Sequence, residues 1–206
     1  MMHIFALHVY SFTVAISGAH GGLGRELVQQ SLQKNWKTLA LVRRMDPIFF
    51  PCRNGWFTDT EETEYSICDS NLTKVMYDDL NEYEFDAIVF ALGGKPFKED
   101  TTTDIVNDIC TNLPKTCDKV CLVSAYGVGD SITNANIGIQ IMSDWYLKDV
   151  YQSKYEQENI VDKLPISKLI IRPRALSFGR IPLNTIATSR RDLASQILDW
   201  IEYKEI

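Results

Sequence analysis

Gly18-Ala19-His20-Gly21-Gly22-Leu23-Gly24 comes after a short apolar run, Thr13-Val14-Ala15-Ile16, and precedes a segment with helical character from Arg25 to Gln33. Strand, glycine-rich turn, helix is the order that sets a dinucleotide pyrophosphate on exposed amide N–H groups at the positive end of a helix. Gly18 can make the tight turn out of the strand, Gly21 lets backbone approach phosphate oxygens, and Gly24 permits close contact between helix and strand. The spacing is Gly-x-x-Gly-x-x-Gly rather than Gly-x-Gly-x-x-Gly. Such a cluster after a strand is also a common tight turn, so its meaning depends on the residues downstream.

Downstream lies a second apolar strand, Thr38-Leu39-Ala40-Leu41-Val42, ending in Arg43-Arg44. In a nicotinamide-binding unit the side chain at this strand end meets the adenosine ribose. An Asp or Glu there binds the 2′-hydroxyl, whereas Arg accommodates a 2′-phosphate. No acid stands here, and two guanidinium groups can grip a phosphate through charge-assisted hydrogen bonds. The alternative is a solvated basic turn; the glycine motif upstream favours NADP(H) over NAD(H).

The 206 residues fit one domain with a sizeable core, and 45% hydrophobic with 23% charged residues is ordinary for a globular chain. A net charge of −6 argues against nucleic acid or an anionic membrane as partner, since both reward a basic face. The five cysteines, Cys52, Cys68, Cys110, Cys117 and Cys121, form no Cys-x-x-Cys pair, and His3, His8 and His20 all lie near one end. No metal site is expected from that set, and reduced thiols in a cytoplasmic setting fit best. The run from Met1 to Ile16 lacks a positive n-region and is too short to span a bilayer. Residues 1–12 read as an N-terminal extension or extra strand, and 13–206 as the dinucleotide-binding domain.

Apolar strand-like runs alternate with helical patterns along the chain, which predicts a single doubly wound α/β domain with a mainly parallel sheet. Strands are expected at 13–17, 38–42, 65–68, 86–92, 119–124 and 167–172. Helices are expected at 22–34, 70–79, 101–113, 141–163 and 190–204, the last behind Ser189 as N-cap. The connection 45–64, with Phe49, Phe50, Trp56 and Phe57, is long for a compact domain. Its aromatics read first as a hydrophobic cluster beneath the loop, with a cover for the adenine or a subunit contact as alternatives.

Several separated motifs together resemble the atypical short-chain dehydrogenase/reductases, specifically the NAD(P)-binding, NmrA-like proteins of flavin reductase/biliverdin reductase B type. They are Ser17 to Gly24, Leu41-Val42-Arg43, Asp86 to Gly94, Leu122-Val123-Ser124-Ala125-Tyr126, Ser153-Lys154-Tyr155-Glu156 with Glu158, Ile170 to Leu176, and Ser189 to Ala194. The resemblance implies a Rossmann-like fold in which Gly18, Gly21 and Gly24 line the pyrophosphate with His20 and Leu23 at its edge. Arg43 and Arg44 would take the 2′-phosphate, and Asp69, at the end of the expected third strand, the adenine. Ala91, Leu92 and Gly93 would let backbone lie against the cofactor, at strand carboxyl ends where ligands bind in open α/β sheets.

For catalysis the resemblance implies that Ser124 places nicotinamide and substrate and that Lys154 binds the nicotinamide ribose and lowers the pKa of a neighbouring donor. The alternative for Lys154 is an i,i+4 pair with Glu158. The family's usual Tyr, four residues before the Lys, is Val150 here; Tyr151 sits one position later, about 100° further round the helix. Tyr126 and Arg174 would flank the substrate. These readings imply an NADP(H)-dependent oxidoreductase passing hydride to a conjugated small molecule such as a flavin, a quinone or a biliverdin-like tetrapyrrole. The missing Tyr at 150 favours a rival, an NADP(H)-sensing regulatory protein of NmrA type. An epimerase or dehydratase ranks below both, because the chain lacks room for a separate sugar-nucleotide domain. Oligomeric state is not legible.

Overall fold

A computed structural model describes residues 11–51, 65–93, 101–129, 147–177 and 187–203. Strand β1 (Thr13–Ser17) leads through the glycine turn into helix α1 (Gly22–Gln33), then β2 (Lys37–Val42). A long connection reaches β3 (Leu72–Met76), and a 3₁₀ turn (Tyr77–Glu82) precedes β4 (Ala87–Phe90). Helix α2 (Thr102–Thr111), β5 (Lys119–Val123), α3 (Lys148–Asp162) and β6 (Ser167–Ile171) come next. Two short strands, β7 (Ala175–Ser177) and β8 (Ala187–Ser189), lead into the final helix α4 (Arg190–Glu202).

The main sheet is parallel throughout, in the order β3-β2-β1-β4-β5-β6. The chain therefore winds outward from β1 in one direction and then reverses, leaving a switch point between the carboxyl ends of β1 and β4. Open α/β sheets bind ligands at that place because the connections on either side run apart over opposite faces. Each face is sealed by helices. Val14 and Ile16 of β1 and Cys121 and Val123 of β5 point into one apolar cluster with Leu27 of α1 and Ile197 of α4. Ala15 of β1 and Val120 and Leu122 of β5 point into the other with Val106 of α2 and Val161 of α3. This is the two-residue alternation of a strand buried on both sides.

The expected α/β architecture is the one observed, with the third strand misread and the short paired strands β7 and β8 not foreseen. Residues 65–68 are not the third strand; Ser66 makes only an isolated antiparallel bridge to Phe49. The third strand is Leu72–Met76, inside the segment expected to be helix 70–79. It is an edge strand with less cover on either face, so Thr73 and Lys74 interrupt the continuous apolar signature that the central strands show. Lys74 Nζ donates to the carbonyls of Met45 and Asp46 at 2.8 and 3.2 Å, pinning the start of the long connection to this edge. Within that connection Ile48 and Ile67 are buried in the core and Phe50 packs against it, as a cluster beneath the loop requires. Trp56 and Phe57 lie outside the described residues, as do residues 1–10 and the start of the expected helix 141–163. Ser189 caps α4, its hydroxyl accepting from the Asp192 N–H at 3.3 Å.

Candidate dinucleotide site

At the switch point lies a crevice of about 530 Å³. Its floor is the glycine turn: Gly18, Ala19, His20 and Gly21 on one side, Ala91, Leu92 and Gly93 at the end of β4 on the other. Gly18 adopts φ +81°, and a Cβ there would stand 2.6 Å from the Ala91 carbonyl oxygen. Gly24 is buried in the first turn of α1, where a Cβ would fall 2.1 Å from Gly18 O and 2.8 Å from Ala19 Cα. Both clashes are with backbone, so no rotamer relieves them. The two glycines thus hold the end of β1 against the start of α1. No side chain caps α1, and the first-turn amides of Gly22, Leu23 and Gly24 lie beyond reach of the helix's own carbonyls. A helix N-terminus with free amides and its positive dipole end favours an anion.

Leu23, expected at the pyrophosphate edge, has its side chain buried in the core and its backbone in the first turn of α1. The His20 ring lines the crevice, with Nε2 3.3 Å from the Asp46 carbonyl oxygen. Arg43 and Arg44 flank its mouth at the carboxyl end of β2. Arg44 pairs with Asp46 at 3.1 Å, both largely exposed, whereas Arg43 has no ion-pair partner among the described residues. An exposed pair of this kind contributes at most about 1 kcal/mol, so Arg44 is readily released to a stronger anion.

Asp69 is corrected. It precedes β3, at the amino edge of the sheet, where its carboxylate accepts from the Asn71 N–H at 2.8 Å. It lines a separate shallow cavity with Cys68 and Lys74. The residue at the carboxyl end of β3 is Tyr77, which sequence reading passed over because the strand was displaced. Tyr77 lines the crevice, its hydroxyl accepting from the Gly18 N–H at 3.1 Å and sharing a hydrogen bond with Ser17 Oγ at 3.0 Å.

Next to the crevice lie the residues expected to handle chemistry. Ser124 leaves the carboxyl end of β5 with its hydroxyl buried and without a hydrogen-bond partner among the described residues. A buried orphan hydroxyl costs about 1–3 kcal/mol, which a ligand atom can recover. Lys154 is buried in α3, and its ammonium donates to Leu92 O at 2.8 Å, Val123 O at 3.0 Å and Gln157 Oε1 at 3.1 Å. It therefore joins the ends of β4 and β5. Glu158 is not its partner: that carboxylate takes a two-point grip from Arg172, at 2.9 and 2.7 Å.

Tyr151 donates from its hydroxyl to Tyr126 O at 3.0 Å, and burial pushes its pKa up. The donor whose pKa Lys154 was expected to lower was not named, and a phenol raised by burial does not have that character. The Arg174 guanidinium stands 5.4 Å over the Tyr126 ring, bringing together the two residues expected at the substrate. The residues that follow Tyr126 are described only as far as Gly129. Among the described residues no cluster of metal-ligating side chains occurs and no helix is long and apolar enough to cross a membrane.

A family model described as NAD(P)H-binding matches residues 18–199. The chain belongs to this NAD(P)H-binding family. The match opens on the first glycine of the turn and spans the whole crevice, so a nicotinamide dinucleotide and the observed cradle agree. No curated protein matches the chain. Among solved structures it is similar to ChuY, an anaerobilin reductase from Escherichia coli O157:H7, at 14% identity and TM-score 0.64, covering 91% of this chain and 89% of that one. The oxidoreductase YlbE from Lactococcus lactis is similar at 15% identity and TM-score 0.65, over 93% and 85% of the two chains. The Bordetella bronchiseptica enzyme WbmH, in complex with NAD+, matches at 14% identity and TM-score 0.62, over 94% and 73%. At these identities the likeness concerns the Rossmann-like fold.

Proposed function

We propose that the protein is an NADP(H)-dependent oxidoreductase that reduces a conjugated small molecule of the flavin, quinone or linear tetrapyrrole class. The observation that carries the reading is the crevice: free helix amides over a glycine turn, with Arg43 and Arg44 and no acid at the end of β2. The amides of Gly22, Leu23 and Gly24 would receive the pyrophosphate, and Arg43 with Arg44 the 2′-phosphate. When bound, NADP(H) supplies the hydride. Ser124, whose hydroxyl has no hydrogen-bond partner among the described residues, would orient the reacting partners. Arg174 over Tyr126 presents a cation and an aromatic face to a flat, anionic acceptor. The likeness to an anaerobilin reductase supports the choice of acceptor class.

No side chain is assigned as proton donor, because Tyr151 has its hydroxyl on the Tyr126 carbonyl and its pKa raised. The same observation favours the second reading, a protein that binds NADP(H) as a signal without turning it over. Titration with NADPH and NADH, monitored by tryptophan-to-nicotinamide energy transfer and thermal shift, tests the cofactor. An R43A/R44A variant should bind NADPH and NADH alike, and unchanged NADPH preference overturns the 2′-phosphate assignment. Assay of flavins, quinones and biliverdin for NADPH oxidation separates the readings: tight binding with no turnover supports the sensor.

A further inference from the structure

We propose that Tyr77 is a positioning residue for the pyrophosphate turn, holding Gly18 in its left-handed conformation from across the sheet. Tyr77 comes directly after β3, two strands away from β1, so its side chain passes over the carboxyl end of β2 to reach the turn. Its hydroxyl takes the Gly18 N–H at 3.1 Å and bonds with the fully buried Ser17 Oγ at 3.0 Å. One oxygen thus engages two consecutive residues where β1 turns into the cradle. Gly18 faces opposite demands there. Its φ of +81° and the 2.6 Å that a Cβ would leave to Ala91 O admit only glycine at this position, yet a glycine is free to leave that conformation when nothing holds it. The 3₁₀ turn from Tyr77 fixes the phenol's base, since Leu80 within it is buried in the core.

Through this contact the adenosine side of the crevice, bounded by β2 and β3, is coupled to the phosphate side, bounded by β1 and α1. The gain is in preorganisation: a turn already in its binding conformation loses less entropy when an anion arrives. The ring itself lines the crevice, but the positioning belongs to the hydroxyl.

This inference rests on the crevice taking NADP(H), and the experiment keeps the two claims apart. Y77F removes the oxygen alone and preserves the ring. Affinities of wild type and Y77F are measured for NADPH, for 2′,5′-ADP and for 2′-AMP, which lacks the 5′-phosphate. Loss of one net hydrogen bond predicts about a five- to tenfold weaker affinity for NADPH and 2′,5′-ADP. The affinity for 2′-AMP should stay within about twofold, since that ligand does not need the turn. A general structural defect would weaken all three together, and equal loss for 2′-AMP overturns the assignment. So does a Y77F protein that binds NADPH and 2′,5′-ADP as the wild type does. Wild type that binds none of the three overturns the cofactor reading, and the assignment with it.

Discussion

At the scale of single residues the site is governed by what cannot be larger. Gly24 has no room for a methyl group, because the atoms a Cβ would meet are the Gly18 carbonyl oxygen and the Ala19 Cα. Gly24→Ala should destabilise the fold by roughly 3 kcal/mol, the upper range for overpacking a rigid backbone contact, and abolish binding of the nicotinamide dinucleotide. Thermal denaturation with and without NADPH measures both, and a variant as stable as wild type would mean the helix can slide along the strand. Gly18 and Gly24 were readable from spacing, since their roles are local. Tyr77 was not, because its partners Ser17 and Gly18 lie about sixty residues earlier and meet it only through the order of strands. Asp69 was misplaced for the same reason: its role depended on which residues form β3, and an edge strand hides its identity behind polar outer positions.

At the scale of elements the decisive contact is Lys154. A lysine three donors deep in strand-end carbonyls and a helix amide acts as a tie among β4, β5 and α3. Around it Gln157 donates to Thr102 Oγ1 at 2.7 Å and Ser153 Oγ at 3.1 Å, extending the network to α2, whose Thr102 lines the crevice. Lys154→Met should therefore lower the stability of the cofactor-free protein by roughly 3 kcal/mol, as hydrogen bonds to a charged group are lost and their acceptors left buried. Urea denaturation without cofactor reads this directly; a contact made only to a bound ribose would leave that midpoint unmoved. The helix ends obey the same long-range logic. Lys119, at the start of β5, donates to the carbonyls of Ile201 and Tyr203, capping α4 from another element. Ser189, by contrast, caps α4 from within its own segment and was visible in sequence.

At the scale of the whole molecule the sheet buries thiols that the unfolded chain exposes. Burial pushes Cys110 and Cys117 up to about 12 and Cys121 higher still. Unfolded thiols titrate near about 8.5, so above that pH the unfolded chain releases protons that the folded chain keeps. Their contribution to stability is complete below about pH 8.5 and declines as pH rises through the folded values, by up to about 1.4 kcal/mol per pH unit for each thiol. Urea midpoints in reducing buffer should thus fall between about pH 8 and about pH 10.5, and a flat profile would contradict the burial. The exposed Cys68 should react with iodoacetamide in the native protein, while the buried Cys117 and Cys121 are spared until it unfolds. Mass spectrometry of peptides after a short pulse distinguishes them.

Short-range order along the chain was enough to establish the class of fold and the location of the glycine turn between β1 and α1. Apolar runs alternating with helical patterns carry the first, and glycines spaced for one turn carry the second. The basic end of β2 was equally local, since Arg43 and Arg44 come directly after the strand that places them. The surroundings of that turn, in contrast, came from tertiary packing alone. Strand order brought Tyr77 onto Gly18, the packing of α3 put Lys154 on the ends of β4 and β5, and Arg172 took Glu158 from its helical neighbour. Each of these outcomes settles a competition among partners distant in sequence, and that competition is resolved by packing geometry rather than by the spacing of residues along the chain.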